Sequence, residues 1–215
     1  MINNIQKLLP EKNFSGRNAL LIGFGNIGEQ IAYYLRNSLS MHVAIYDSDT
    51  AKLIKAQQYG FNIEKNLESA VKEKYLIIGA TGETVIGRSE ILAMEHNTYL
   101  ISASSEQWEF CISELEALSF EKMDFFRGDG EDIGTRYKIR NTEKYVNLIA
   151  DGYPINFWKT ESMPNEVSDL IMSLIFISAV EVVVNKSLSP GINTNITNEL
   201  DKKYGLSKLY LEYHK

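Results

Sequence analysis

Cysteine is nearly missing from this chain. Its 215 residues include one, Cys111, so neither an intrachain disulfide nor a cysteine-based metal cluster can form. Cys111 reads as a small buried hydrophobe. Histidine is almost as scarce. His42, His96 and His214 stand apart and share no metal-ligand or proton-transfer spacing, so no metal is expected. The signatures HExxH, CxxC and GxSxG do not occur. Basic clusters are lacking too. With a net charge of −6, the chain has no positive surface for a phosphate backbone, and no nucleic-acid partner is expected. Long apolar runs are few. The most apolar one, Leu170 to Val184, reads as too short for a bilayer and has Asp169 before it and Glu181 near its end. A helix buried in its own core or across an oligomer interface is expected there, and no membrane partner. The opening MINNIQKLLPEKNF lacks the charged and then apolar regions of a secretory leader. A cytoplasmic location is the resulting expectation.

What is present suits a globular domain. Apolar residues make up 44% and charged residues 23%, enough for one sizeable core with an appendage. Short apolar runs at Ala19 to Gly23, Val43 to Tyr46, Tyr75 to Gly79 and Tyr99 to Ser102 read as buried parallel strands. Between them lie helical patterns at Asn26 to Asn37, Ala51 to Tyr59, Asn66 to Lys74 and Ser89 to Glu95. That alternation predicts an α/β doubly wound (Rossmann) parallel sheet with helices on both faces, a single domain plus C-terminal helices. A leading helix is expected within 1–15, the sheet domain over 16–160, and a helical segment over 161–215 that packs on it or on a partner subunit. The polar stretch Phe120 to Gly134, with "RGDGEDIG", reads as a loop. Tyr137 to Arg140, Tyr145 to Ala150 and Ile155 to Phe157 read as strands, Glu166 to Asn185 as a long helix, and Asn198 to Tyr213 as a polar one.

The stretch "ALLIGFGNIGEQIAYYL" carries the strongest functional signal. Gly23, Gly25 and Gly28 form G-x-G-x-x-G between a strand and an amphipathic helix. The first glycine permits a tight turn, the second a close approach of backbone to a pyrophosphate, and the third close helix–strand packing. The helix start at Asn26 and Ile27 then offers free N–H groups and a positive dipole end. Asp47 ends the next strand, about 20 residues on, where an acidic side chain binds the adenosine ribose hydroxyls. A carboxylate there also repels a 2′-phosphate. Like charges about 4 Å apart at an effective dielectric of about 20 cost about 4 kcal/mol before screening. The expected cofactor is therefore NAD rather than NADP. Asp49 either assists or caps the following helix. The small residues of "GATGETVIG", among them Ala80, Thr81 and Gly82, follow the third strand at its ligand-facing end, or form a plain glycine-rich turn. Ser102 ends the fourth strand and is placed to bond a cofactor amide or the backbone. Glu83 and Glu106 are acid–base candidates only if burial raises their pKa.

Four segments resemble the adenosylhomocysteinase (S-adenosylhomocysteine hydrolase) family: "NFSGRNALLIGFGNIGEQIAYYL", "YLIIGATGETVIGRSEILAMEHNTYLISAS", "TRYKIRNTEKYVNLIADGYPINF" and, faintly, "NELDKKYGLSKLYLE". Gly23, Gly25, Gly28 and Asp47 match that family's NAD positions, and Thr81 and Gly82 match its pair beside the nicotinamide. The resemblance implies a held NAD that oxidises a substrate ribose 3′-hydroxyl, loss of homocysteine, addition of water and return of the hydride. It also implies assembly through cofactor domains, so a homodimer is expected. The match is to the cofactor domain alone. Only a short leading helix precedes it, and the substrate domain that supplies most of the family's acid and base groups has no counterpart here. Ser102 stands for the family's asparagine, while Ser105 and Met163 stand for its two histidines. Serine and methionine cannot shuttle protons near neutral pH. Trp158 and Lys159 replace small residues and fill space that a substrate would take.

The expected function is an NAD(H)-binding protein resembling the cofactor domain of adenosylhomocysteinase: an oxidoreductase or its cofactor-carrying part, not a complete hydrolase. It would act on a small-molecule substrate or with a partner protein that supplies catalytic groups. A non-catalytic NAD-binding or sensing module and a fragment of a longer enzyme stand as alternatives. The catalytic residues are unassigned.

Overall fold

The computed structural model describes residues 2–9, 13–159, 164–193 and 195–213. Lys12 at the end of the expected leading helix, Met163 and His214 lie outside these. The chain divides into two compact units, Met1–Thr160 and Glu161–Lys215.

In the first unit one eight-stranded sheet organises everything. Its strands are β1 (Asn18–Ile22), β2 (His42–Tyr46), β3 (Asn62–Ile63), β4 (Leu76–Gly79), β5 (Thr98–Ser102), β6 (Ser119–Phe126), β7 (Asp132–Ile139) and β8 (Tyr145–Ile149). They lie in the order β3-β2-β1-β4-β5-β8-β7-β6. The pairs from β3 to β8 are parallel, and β7 and β6 close one side antiparallel. The chain reverses its winding between β1 and β4, and that switch point is where doubly wound sheets bind ligands.

The central strands are apolar on both faces because both faces are covered. Ala19, Leu21, Ile78 and Ile101 join one core with Ile31 and Leu35 of α2 (Asn26–Asn37) and with Ile5 and Leu8 of α1 (Ile2–Leu8). Leu20, Ile22, Ile77 and Leu100 join the other, with helices α4 (Leu67–Ala70), α5 (Arg88–Ala93) and α6 (Ile112–Leu118). Helix α3 (Thr50–Gln58) follows β2, and Ala56 anchors it in the first core.

Some expectations need correction. The polar stretch Phe120 to Gly134 is mostly a hairpin, β6 and β7. β6 is an edge strand that faces solvent along much of its length, so it needs little apolar sequence. Its turn is held by Arg127, whose guanidinium bonds Asp129 and Glu131. Ile155 to Phe157 is not a strand. Pro154 makes an isolated bridge to Ser102, and the Ile155 N–H donates to the Ser102 carbonyl at 3.1 Å. The antiparallel pair also means that the sheet is not parallel throughout. Cys111 is half-buried at the start of α6 rather than fully enclosed.

Among its described residues the second unit has three helices, α7 (Asn165–Val184), α8 (Ile196–Tyr204) and α9 (Leu206–Tyr213). The expected single C-terminal helix is broken by Gly205, whose φ of 68° ends α8 in the left-handed region. α7 runs 20 residues and buries none of them, so it is not a core helix of its unit. It is also longer than its most apolar run suggested, and by length and composition it is sufficient to cross a membrane. A single such helix is weak evidence for one.

Candidate functional site

The carboxyl ends of β1, β2 and β4 border a cavity of about 520 Å³, the size of a small-molecule site. Gly23 and Gly25 line it from the β1–α2 turn, Tyr46, Asp47 and Ser48 from the end of β2, Lys52 from α3, and Ala80, Thr81 and Glu83 from the segment after β4.

Each glycine of the triad has a different steric reason. Gly23 has φ +94°, and a Cβ there would lie 2.7 Å from the Ala80 carbonyl oxygen. The turns after β1 and β4 thus touch backbone to backbone. A Cβ on Gly28 would overlap the Gly23 carbonyl, so only hydrogen lets α2 press on the turn. Gly25 differs: a Cβ there would meet nothing within 4 Å. It faces the cavity. Gly25 is also the N-cap of α2 and offers no side-chain cap, so the first amides of the helix are left for another acceptor.

Asp47 is buried. Its Oδ2 accepts from the Phe24 N–H at 2.7 Å, and its Oδ1 from the Asp49 N–H at 2.8 Å. The carboxylate thereby ties the end of β2 to the β1–α2 turn. Lys52 Nζ stands 3.6 Å from Oδ2 and is partly exposed. It lessens the repulsion that a 2′-phosphate would meet there. Asp49 is the helix cap of the two readings, accepting from the Ala51 N–H at 2.8 Å.

The other sequence candidates are placed as follows. Ala80 and Thr81 reach the cavity. Asn26 and Ile27 open α2, with Ile27 exposed. Gly82 lies in the turn with φ +77°. Ser102 does not line the cavity. It is buried one strand further along, its Oγ 3.0 Å from that of Ser104 and its carbonyl capped by Ile155. Glu83 borders the cavity and Glu106 is exposed. Trp158 packs against the first core. His42 begins β2 and His96 precedes β5, so both lie at the strand ends away from the cavity.

Sequence reasoning missed Glu109. It is fully buried, and its Oε1 accepts from the N–H groups of Thr81 and Gly82 at 2.6 and 2.7 Å. Its Oε2 accepts from the Thr81 hydroxyl at 2.8 Å. Burial raises the pKa of this carboxyl, against the lowering effect of the Gly82 amide, the Thr81 hydroxyl and the Thr81 amide. Its contribution to stability is therefore full below the unfolded glutamate range and is lost as pH rises through the raised folded value. The charged form is held at a cost. Nothing periodic in "SSEQWEF" marks the residue.

Comparison with known proteins decides the family. Residues 3–160 match the family described as "S-adenosyl-L-homocysteine hydrolase, NAD binding domain". This chain belongs to that family. It is 28% identical over 172 residues to the adenosylhomocysteinase of Thermoplasma volcanium, covering 80% of this chain and 40% of that one. It is 26% identical over 196 residues to the enzyme of Sulfolobus acidocaldarius, covering 91% and 45%. The chain thus spans less than half the length of these adenosylhomocysteinases. In fold it is similar to dipicolinate synthase, A chain, from Bacillus subtilis, with TM-score 0.55 and 12% identity over 84% of this chain and 55% of that one. As in adenosylhomocysteinase cofactor domains, the cofactor is NAD. The open face of Gly25 and the uncapped start of α2 fit its pyrophosphate.

The glycines yield a stability test. Gly28→Ala forces backbone apart and is expected to cost about 1–3 kcal/mol, as overpacking does. Gly25→Ala is expected to stay within about 0.5 kcal/mol of the wild type. Urea unfolding of both variants checks this, and equal losses would contradict the geometry.

Proposed function

We propose that this chain is the NAD-holding part of an oxidoreductase, with its acid and base groups supplied by a substrate-binding partner rather than by the cavity itself. The observation that carries the reading is the open amide turn at Gly25, which lines one cavity together with Asp47. Gly23, Gly25, Asn26, Ile27 and Gly28 hold the pyrophosphate in this reading. Asp47 takes the adenosine ribose hydroxyls, and Ala80, Thr81 and Gly82 meet the nicotinamide half. Bound NAD supplies hydride acceptance from a carbinol carbon. The chain's own residues bind and orient it.

The proton-transfer side is thin. Neither described histidine is at the ligand end of the sheet, and Glu83 is the exposed carboxylate at the rim. This thinness favours a second reading, a module that binds or senses NAD without turnover. Sustained NADH oxidation with candidate carbonyl compounds, followed by absorbance, separates the two. Turnover excludes the sensing reading, and turnover that appears only once a substrate-binding partner is added supports the first.

The second unit favours self-association. Met172, Phe176, Val180 and Val183 are all exposed and fall on one face of α7 at helical spacing. A second copy presents the same uncharged stripe, and two such stripes are self-complementary across a two-fold axis. A cytoplasmic homodimer is the reading adopted.

Two outcomes follow. Thermal shifts are expected to rank NAD and NADH above NADP, with Gly25→Ala weakening NAD at least about tenfold (1.4 kcal/mol); a larger shift with NADP would overturn the role given to Asp47. In light scattering the wild type is expected at twice the chain mass and Phe176→Glu/Val183→Glu at one. A wild-type monomer, or a dimer unchanged by the double substitution, would contradict the proposed interface.

A further inference from the structure

Two carboxylates are buried among the described residues, Asp47 and Glu109. The NAD reading gives the first a task and leaves the second without one. Glu109 follows β5 in sequence, yet its side chain reaches across to the segment after β4. Three donors converge on it: the Thr81 and Gly82 amides and the Thr81 hydroxyl. Room is made for it in the strand itself. A Cβ on Gly79 would lie 2.5 Å from Glu109 Oε2, so the glycine that ends β4 is required by the carboxylate beside it.

We propose that Glu109 is a positioning residue, which fixes the Thr81–Gly82 turn and so sets how tightly the cleft holds the nicotinamide-ribose half of the dinucleotide. This rests on the reading of the cleft as an NAD site. Adenosine lies on the β2 side in that reading, with Asp47, and the dinucleotide crosses the switch point, so its other half falls on the β4 side. The turn has two successive amides pointing into one concavity, an arrangement that attracts anions. Glu109 fills that concavity from within the protein. The β1–α2 turn is left as the open amide cluster, and the pyrophosphate has one place to sit.

Burial of the charge supports the same assignment. Glu83 is the charged neighbour that further raises the Glu109 proton affinity. A buried carboxyl with its proton affinity raised and with donors converging on it is a feature that functional sites often share.

The test compares two ligands on the wild type, Glu109→Gln and Glu109→Asp by titration calorimetry. NAD reports on both halves and ADP on the adenosine–pyrophosphate half alone. Glutamine puts an N–H₂ where an acceptor is needed. E109Q is expected to weaken NAD about tenfold (1.4 kcal/mol), with ADP within about twofold. E109D keeps the charge but is shorter, and is expected to weaken NAD less, about threefold, again sparing ADP. If E109Q does not fold, E109D decides. Unchanged NAD affinity, or NAD and ADP weakened together, overturns the positioning role. A wild type that binds ADP but gains nothing from the nicotinamide half also overturns it. A wild type that binds neither overturns the NAD reading itself.

Discussion

Everything at this site depends on a contact that only a hydrogen atom permits. The Gly23 backbone lies against the Ala80 carbonyl, and the Gly23 carbonyl lies against α2 at Gly28. Three backbone segments from β1, β4 and α2 therefore share one wall. Because no side chain intervenes, the cavity floor is peptide, and its hydrogen-bonding groups are set by the sheet register rather than by rotamers. Gly23 donates to the Tyr46 carbonyl and Ala80 to the Ile22 carbonyl, both at 2.8 Å, which extends the ladders into the turns. A ligand there meets rigid amides, and little ordering is left for binding to impose.

Two buried carboxylates finish the arrangement, each by taking up amides. Asp47 holds Phe24 and Asp49, and Glu109 holds Thr81 and Gly82. What they leave open is the start of α2, where Gly25 provides neither a side-chain cap nor a Cβ. The first amides of α2 are thus singled out by subtraction: the neighbouring amide clusters are already satisfied by the protein's own carboxyl groups. Lys52 Nζ stands 3.6 Å from the Asp47 carboxylate and offsets part of its charge.

The sequence was legible where local chemistry and fold coincide. Apolar runs marked β1, β2, β4 and β5, and three glycines with Asp47 marked the turn and its partner. Gly28 was legible because its steric partner, the Gly23 carbonyl, is local; Gly23 was legible from its place in the spacing, but its contact with Ala80 across the sheet was not. Glu109 was not, since its partners stand 27 and 28 positions away and burial of a glutamate in a polar stretch leaves no periodic trace. β6 was hidden for the opposite reason. An edge strand need bury only part of one face, so "SFEKMDFF" reads as polar. Ser102 was legible as a strand end, but not the Pro154–Ile155 segment that runs beside it and bonds its carbonyl. α7 showed its apolar character plainly, yet composition alone does not say whether such a helix lies inside a core, and here its own unit buries none of it.

The family relation and the geometry meet at the cofactor and part at proton transfer. The chain shares the NAD-binding domain of the S-adenosyl-L-homocysteine hydrolases over residues 3–160, while Ser102 and Ser105 stand where the resemblance puts an asparagine and a histidine. The most direct measurement on the central claim is a backbone amide shift map of isotope-labelled protein titrated with NAD. The account predicts the largest perturbations at Gly25, Asn26, Ile27 and Gly28, with a second group at Asp47 and Ser48. Binding that leaves those amides unmoved and perturbs another face of the sheet would contradict it.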